Sequence, residues 1–559
     1  MKLTIEKLSF GPGAIAHSED GRTIFVAGGV PGDTVEASVY EEKKHVAFAS
    51  IDTVLEEGPH HVSAPCPYVG KCGGCPWGNV SQELQRKAKV QNLRDALLRL
   101  ARLDEATVDS VLRPLVELEK PWGYRNKIEL SPDPTSARFA LGMHGLNPLE
   151  FVPLMSCHLL PKPYQALPKK ITGALSYALG TNATCGANKS KAGPLPYAPG
   201  SNNPGRTNKI NAGANFYVMD ATAPERIDAN NPAMHIGRVG IRASEKTGSL
   251  EIALWGAPGP LNRNRVADIL REATGASSIV RCLTKGSSKE RRVTKVEVLS
   301  GKGFWEEEID HRRMRFSAPS FAQANTAGAQ QLIRFVQKCL MEDSFNEECF
   351  SEECIGAELQ HSMEASLSDL PLEAEAHHPV DASLSKAPDA AENSSFTASS
   401  LAEKGALPGN AFDLYAGAGT FTLPLAERCA FVSAVESSGF AVRDLRRNVE
   451  SAHLDNVAIE GGDAAREFPH VTPGDAPDVI LTDPPRAGLD KQVINAIAGA
   501  GAKMFIYVSC DIQTLARDIQ RILATGAWNL VCVQPFEMFG QTYHTETIAV
   551  FKKASAMKR

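Results

Sequence analysis

The first sixty residues alternate between apolar and polar positions in short runs. Two of these runs, residues 23–27 and 34–39, lie among Gly-Pro and Asp-Gly turns, a pattern that predicts β-strands. Strands this short and closely spaced are typical of a small β-barrel of the OB type, although any small all-β module shows the same alternation. We therefore predict an OB-like β-barrel over residues 1–60.

A helical pattern follows. From Ser81 to about Asp104, apolar residues recur at helical spacing with lysines and arginines between them, which predicts an amphipathic helix. Its basic face is either a solvated surface or a nucleic-acid contact, and the sequence leaves both open. Residues 122–316 show mixed strand and helix patterns, interrupted at residues 181–214 by a stretch rich in Gly, Asn, Pro and Ser that we interpret as a flexible insert.

The C-terminal region contains apolar strands that each lead to a polar residue. The first runs through Tyr415 into Ala416-Gly417-Ala418-Gly419-Thr420, whose small residues let the backbone approach a ligand at a helix N-terminus. The second ends at Glu436, which can accept both hydroxyls of a ribose, and the third leads to Asp463, which can accept a hydrogen bond from an adenine amine. This order resembles class I S-adenosylmethionine methyltransferases more than NAD enzymes, which carry the longer GxGxxG turn. An ordinary doubly wound sheet with incidental acids is the alternative.

The next strand ends in Asp483-Pro484-Pro485-Arg486. The two prolines fix the chain and remove two backbone donors, so Asp483 is presented rigidly beside the methyl donor. Enzymes that methylate amino groups place an aromatic residue after a related Pro-Pro pair to stack the flipped base, and Arg486 in that place argues against N6-adenine methylation. RNA cytosine enzymes carry a second cysteine after a related turn, which Pro485-Arg486 does not supply.

One thiol, Cys510, follows the last apolar strand of this group, at the edge where open α/β sheets bind ligands. Taken alone, a small buried core thiol is the simpler interpretation. Carbon 5 of uracil is a poor nucleophile, however, and a thiolate that adds to carbon 6 turns it into an enolate-like one. A carboxylate such as Glu546 could then remove the carbon 5 proton so that the thiolate leaves.

Three motifs together carry a family resemblance. They are Tyr507-Val508-Ser509-Cys510-Asp511 with the following Thr514-Leu515-Ala516-Arg517-Asp518, the Asp-Pro-Pro-Arg turn, and a Met-Phe-x-x-Thr-x-His-x-Glu stretch that ends at Glu546. The chain resembles the RNA uracil-C5 methyltransferases of the TrmA type over nearly its whole length outside two inserts.

The resemblance implies roles for individual residues. Cys510 would be the nucleophile and Glu546 the base, and Phe321 would lie beside the target base. The residues implied to contact the methyl donor, S-adenosyl-L-methionine, are Gln323, Tyr415, Thr420, Glu436, Asp463 and Asp483. The family commonly has Phe where Ala322 stands and often Asn at Thr420, departures that look tolerable.

Four cysteines form a separate group. Cys66, Cys72 and Cys75 lie in one short segment with Gly73 and Gly74 between the last two, and Cys157 is far downstream. Three thiols in a tight turn plus one more suit a metal or an iron–sulfur cluster, whereas structural zinc usually takes two CxxC knuckles; unliganded cysteines are the third possibility. One branch of the family carries a four-iron cluster on this arrangement, so the resemblance favours [4Fe-4S] over zinc.

Composition and charge add limits. The 559 residues are 43% hydrophobic and exceed what one core accommodates. We find no apolar run of membrane-spanning length and no signal-peptide pattern, and therefore expect a cytoplasmic protein in a reducing compartment. The net charge of -6 is uneven: residues 341–404 carry fifteen acidic residues and two lysines, which leaves the remainder net basic and compatible with RNA binding. We interpret this acidic segment as a disordered insert.

These patterns predict an α/β protein in three parts. Residues 1–60 form an OB-like barrel of the TRAM type, residues 61–80 and 112–316 a central α/β domain with the iron–sulfur cysteines, and residues 81–111 and 317–559 a Rossmann-like class I methyltransferase domain.

The predicted function is SAM-dependent methylation of carbon 5 of a uridine in RNA. Because barrel and cluster together resemble the branch that acts on large-subunit ribosomal RNA, 23S rRNA is the first candidate. Transfer RNA and a catalytically idle RNA-binding or assembly factor are the alternatives. A uridine must leave its stack to reach Cys510, so we expect a single-stranded or loop region as substrate, with no obligate protein partner.

Overall fold

The computed structural model describes residues 1–134, 139–180, 235–286, 292–341, 409–468 and 476–554. The predicted insert at 181–214 lies outside these residues, as does the acidic segment 341–404 except for Met341. None of the helices within these ranges combines the length and apolarity needed to cross a membrane.

The first five strands form one sheet in the order β1-β4-β5-β3-β2. Alternate residues of each strand point to its inner face: in β3, Ile24 and Val26 are buried, whereas Phe25 between them is half-buried. Three buried residues from elsewhere, Trp77, Val80 and Tyr543, join its core. The strands are β1 (Lys2–Thr4), β2 (Gly13–His17), β3 (Thr23–Ala27), β4 (Thr34–Glu42) and β5 (Val46–Glu56). The strands predicted at residues 23–27 and 34–39 are thus confirmed.

A second sheet has seven strands in the order β12-β11-β10-β9-β6-β7-β8. Two helices, α3 and α4, cover it with apolar residues that include Ile171, Leu175 and Leu270. Cys72, Cys75 and Cys157 belong to the same buried cluster. The elements are β6 (Lys127–Pro132), β7 (Leu141–His144), β8 (Phe151–Pro153), α3 (Leu167–Ala178), β9 (Arg238–Ala243), β10 (Leu250–Gly256), α4 (Arg263–Thr274), β11 (Ser278–Lys285) and β12 (Arg292–Gly301).

A hairpin and a helix connect this sheet to the next. The hairpin consists of β13 (Trp305–Ile309) and β14 (Arg312–Phe316), and the helix is α5 (Thr326–Met341). Their apolar residues share one core with the C-terminal sheet. The segment 317–325 between β14 and α5 therefore lies where the two larger sheets meet.

The C-terminal sheet has seven strands in the order β17-β16-β15-β18-β19-β21-β20. Five strands are parallel, and β21 pairs antiparallel with both β19 and β20. Strands β18 and β19 are mostly apolar and fully buried, because helices cover both faces of the sheet. The elements are β15 (Asn410–Leu414), α6 (Thr422–Ala426), β16 (Phe431–Glu436), α7 (Gly439–Ser451), β17 (Val457–Gly461), α8 (Ala464–Glu467), β18 (Val479–Thr482), α9 (Lys491–Gly499), β19 (Met504–Ser509), α10 (Ile512–Leu523), β20 (Trp528–Phe536) and β21 (Glu546–Lys553).

Two early helices also pack on this sheet, although they precede it by more than 300 residues of chain. They are α1 (Gln82–Arg99), which confirms a helix within the predicted segment 81–104, and α2 (Glu105–Val111). Gln85 and Lys89 lie on the buried face of α1, so the predicted division into an apolar and a basic face is wrong. Leu93 and Leu97 of α1 are fully buried in the same core as Phe505. The chain then runs alongside β20 through the parallel bridges of Leu112 with Val533 and of Val116 with Phe536.

Candidate active site

The carboxyl ends of β15, β16, β18 and β19 open into one cavity of about 920 Å³. All thirteen residues singled out from the sequence line this cavity: Cys66, Cys72, Cys75, Cys157, Phe321, Gln323, Tyr415, Thr420, Glu436, Asp463, Asp483, Cys510 and Glu546. Motifs more than 400 residues apart in the chain are thus brought together at one edge of the sheet.

The turn after β15 has a backbone that few side chains tolerate. Tyr415, Gly417 and Gly419 have φ values of 67°, 58° and 100°. A Cβ atom on Gly419 would come within 2.7 Å of Leu423 and Leu445, so this position requires glycine for space as well as for conformation.

Glu436 and Asp463 are both held by backbone donors. The carboxylate of Glu436 accepts hydrogen bonds from Gly417 N at 2.9 Å and Ser438 N at 2.6 Å, which ties the end of β16 to the glycine turn. Asp463 precedes α8 and accepts from Ala465 N at 3.0 Å. Both carboxylates are therefore fixed in orientation at the cavity wall.

Gln323 and Asp483 meet across the cavity from different parts of the chain. Gln323 Nε2 donates to Asp483 Oδ2 at 3.3 Å, and the carbonyl of Gln323 accepts from Asn126 Nδ2 at 3.0 Å. Burial raises the pKa of Asp483 to about 7, while the Gln323 hydrogen bond opposes the rise. With this pKa, the carboxyl group is partly protonated at neutral pH, so a cation that enters the cavity shifts it strongly towards the ionised form.

The register of β19 and β21 brings Cys510 and Glu546 together. Ser509, the last residue of β19, pairs with Thr547 of β21. The two residues next to this pair, Cys510 and Glu546, therefore lie opposite each other. The thiol of Cys510 is half-buried, and Glu546 is 1% exposed. A thiol and a carboxyl group thus share the end of the cavity nearest Asp483.

Both groups are shifted towards their neutral forms. Burial raises the pKa of Cys510 to about 12, helped by the negative charges of Glu546 and Asp483 and opposed by Arg486. Burial also raises the pKa of Glu546 well above its ordinary value, and the charge of Asp483 adds to the effect. Titratable groups whose pKa values are displaced by burial and by named neighbours, in a cleft, are typical of catalytic sites.

The four cysteines of the predicted cluster line the same cavity. Cys72, Cys75 and Cys157 are buried and Cys66 is half-buried, and Gly74 N donates to Cys72 Sγ at 3.4 Å. Burial raises the pKa of Cys72 to about 11, and the nearby Cys157 and Cys66 raise it further. The side chains in the described ranges do not form a group of three or more with metal-binding geometry. The cluster therefore stays a prediction.

The segment that carries Phe321 and Gln323 is clamped from both sides by residues that sequence patterns did not indicate. Arg242 of β9 donates from Nη1 to Ser317 O at 2.9 Å and from Nη2 to Ala318 O at 3.2 Å. Asp444 of α7 accepts from Ser317 N at 2.8 Å. Phe321 itself is 62% exposed at the rim of the cavity. No local signal marks Arg242 or Asp444, because their partners are 75 and 127 residues away.

The doubly wound sheet, the glycine turn and the acids at successive strand ends define a Rossmann-like class I methyltransferase domain. Residues 386–554 match the family model described as tRNA (Uracil-5-)-methyltransferase. This match and the RNA methyltransferases among the chain's relatives support the RNA uracil-C5 methyltransferase family that the motifs predicted.

Relatives of similar length support this assignment. An uncharacterized RNA methyltransferase of Gloeobacter violaceus is 25% identical over 558 residues, which cover 98% of this chain and 96% of the relative. Another from Thermosynechococcus vestitus is 25% identical over 563 residues, with 98% and 97% covered. The structure of Pyrococcus abyssi tRNA (uracil-54, C5)-methyltransferase in complex with S-adenosyl-L-homocysteine has a TM-score of 0.60 at 18% identity, covering 99% of this chain and all of that one. At this sequence identity, the similarity to the Pyrococcus abyssi structure shows a shared fold.

Proposed function

We propose that this enzyme methylates carbon 5 of a uridine through a covalent bond between Cys510 and carbon 6, with Glu546 as the base. One observation carries the proposal: Cys510 and Glu546 lie opposite each other in a cavity that Gln323, Asp483 and the glycine turn also line. A nucleophile, a base and a donor pocket within one cavity are what this reaction requires.

The methyl donor fits the half of the cavity at β15 and β16. Glu436 would bind the ribose and Asp463 the adenine, and Gln323 and Asp483 lie between these residues and Cys510 along the cavity. Bound S-adenosyl-L-methionine would supply the methyl group on a positively charged sulfur. Tyr415 and Thr420 line the same half and complete the contacts that we propose.

Cys510 begins the reaction by adding to carbon 6. It must first lose its proton, and positive charge favours the thiolate; Arg486 already acts in this direction on its pKa. The addition makes carbon 5 nucleophilic, and carbon 5 takes the methyl group as the methyl–sulfur bond breaks, so that the donor would leave as S-adenosyl-L-homocysteine. Glu546 then accepts the proton from carbon 5, the electrons re-form the carbon 5–carbon 6 double bond, and the thiolate leaves carbon 6. Phe321 at the rim would contact the face of the flipped base.

We further propose that Cys66, Cys72, Cys75 and Cys157 hold a [4Fe-4S] cluster. The donor types suit such a cluster, because all four side chains are thiols and all four line the same cavity. Bound, the cluster would tie the 66–75 segment to Cys157 of the central sheet. The chemistry of methyl transfer does not need it.

For the RNA we propose 23S ribosomal RNA, with the N-terminal sheet as a TRAM-type RNA-binding module. Its outer face supports an RNA contact, because Phe25 and Phe48 stack at 5.5 Å and Lys43 lies over the Phe48 ring at 4.7 Å. Transfer RNA is the second candidate, favoured by the name of the matching family and by the substrate named for the Pyrococcus abyssi protein.

The test uses purified protein, labelled methyl donor, and separate 23S ribosomal and transfer RNA. We expect 5-methyluridine as the only labelled nucleoside, in the ribosomal RNA, and none with Cys510→Ala. Label in transfer RNA alone would replace the first candidate by the second. Undiminished methyl transfer by Cys510→Ala would refute the covalent mechanism, and binding of RNA without methyl transfer would indicate an idle RNA-binding factor.

A further inference from the structure

The sheet fixes the backbone of Glu546 only on its C-terminal side, because Glu546 is the first residue of β21. Strands β20 and β21 form a hairpin whose last ladder pair is Phe536 with Glu546, and residues 537–545 form the loop beyond it. No ladder hydrogen bonds continue into this loop, so other contacts must fix the backbone that enters Glu546. Some of these contacts come from α1, about 450 residues earlier in the chain, and others from Val116, Tyr124 and Asn325.

Gln85 makes two of these contacts. Its Oε1 accepts from Gln541 N at 3.0 Å and its Nε2 donates to Gln541 Oε1 at 2.9 Å, while both residues are buried. Gln541 has a φ of 66°, a conformation that costs free energy for any residue other than glycine and persists only where the surroundings enforce it. The paired amides of Gln85 and Gln541 provide that enforcement.

Lys89, one turn further along α1, contacts the same loop. Its ammonium group is fully buried and donates to Phe539 O at 3.0 Å, and it lies 3.7 Å from the carboxylate of Glu537. Arg86 Nε also donates to Glu537 at 2.8 Å. A buried ammonium group is costly unless it is paired, so its retention here indicates a task that an apolar residue would not perform.

The start of α1 is joined to the cysteine segment. Gly78 N donates to Cys75 O at 3.1 Å, Trp77 N donates to Gln541 O at 3.0 Å, and Gln85 Nε2 donates to Trp77 O at 3.1 Å. A continuous series of backbone and amide hydrogen bonds therefore runs from Cys75 to the loop before Glu546.

We propose that Gln85 and Lys89 are positioning residues that hold loop 537–545 so that Glu546 can remove the carbon 5 proton. This inference rests on the proposed covalent mechanism and adds to it two residues that touch neither RNA nor methyl donor. Their effect falls on one step. Addition of Cys510 and methyl transfer come before Glu546 acts, whereas release of the thiolate requires the proton to leave carbon 5.

The consequence is a distinctive product. When Glu546 is displaced, the methylated uracil stays bound through its carbon 6–sulfur bond, because the electrons that would expel the thiolate remain in the carbon 5–hydrogen bond. Labelled methyl groups then accumulate on RNA attached to protein. A loss of stability alone would lower methyl transfer and release together and would leave no such adduct.

The experiment measures, with full-length protein, ordinary uridine RNA and labelled methyl donor, how much label stays with the protein after denaturation in detergent. We expect Lys89→Met and Gln85→Leu to slow release of methylated RNA by roughly 10- to 100-fold while methyl transfer changes little, since small misplacements of catalytic groups have effects of this size. Lys87→Met and Gln91→Leu alter exposed residues of the same helix and should behave as the unchanged protein.

A further variant separates loss of positioning from misfolding of the loop. Gln541→Gly removes the paired amide but adopts the positive φ without strain, so the loop can fold and the adduct should still accumulate. Release at the unchanged rate in these three variants, or a parallel loss of transfer and release without adduct, would overturn the inference. Failure of the proposed function would appear elsewhere: Cys510→Ala would stay active, or Glu546→Gln would form no adduct.

Discussion

Replacing Asp483 by Asn should stabilise the protein while abolishing its activity. Burial raises the pKa of the Asp483 carboxyl from the ordinary 3.8 to about 7, so the folded protein retains a proton that the unfolded chain has lost. The stability that this proton contributes is complete below pH 3.8 and is lost as the pH rises through about 7. Asn keeps the shape and can still accept from Gln323 Nε2, but it does not titrate.

The magnitude follows from the two pKa values. At about pH 5 the folded state holds its proton and the unfolded state does not, and each tenfold difference in proton affinity corresponds to ~1.4 kcal/mol. Between about pH 5 and about pH 8, Asp483→Asn should therefore gain up to roughly 3 kcal/mol of unfolding free energy relative to the unchanged protein.

Urea unfolding at these two pH values, without methyl donor, measures the effect. The reasoning fails if Asp483→Asn differs from the unchanged protein by the same amount at the two pH values.

Three further changes test other parts of the site. Cys72→Ser should lower the iron and sulfide content of protein purified without oxygen, because it removes one of four ligands. Arg242→Met should lower the free energy of unfolding in urea by about 3–5 kcal/mol, because it leaves the buried Glu251 carboxyl without its ion-pair partner and three backbone carbonyls without their donor. Gly419→Ala should raise the KM for the methyl donor by roughly 10-fold or more, because its Cβ atom would displace Leu423 at 2.7 Å and distort the turn.

Each of these changes has a matched control. Cys282 is a buried thiol of the central sheet outside the cavity, and Cys282→Ser should retain iron. Arg238 is on the same strand as Arg242 but partly exposed, so Arg238→Met should cost about 1 kcal/mol or less. Gly439→Ala meets no atom within 4 Å and should leave the KM unchanged. Equal effects of a change and its control would contradict the corresponding account.

The sequence predicted the catalytic edge well because its signals are local. A strand, its polar end residue and the following turn lie within ten or so residues, so Glu436, Asp483 and Cys510 could be found from pattern alone. The common edge then follows from the geometry of parallel strands, since their carboxyl ends meet on one side of the sheet.

What supports this edge could not be predicted, because those contacts join distant segments. Gln85 and Gln541 are 456 residues apart, and Arg242 and Ser317 belong to different parts of the fold. A buried lysine such as Lys89 looks like a surface residue in a helical pattern rich in lysine and arginine. Only the packing of α1 on the C-terminal sheet shows that it contacts the loop before Glu546.

The covalent role of Cys510 is tested most directly with RNA that carries 5-fluorouracil at the target position. Fluorine cannot be removed as a proton, so the methylated adduct cannot release the thiolate. After proteolysis, mass spectrometry should find the modified nucleotide and its added methyl group on the peptide that contains Cys510. Methylated fluorouracil RNA released free of protein, or an adduct on any other residue, would contradict the account.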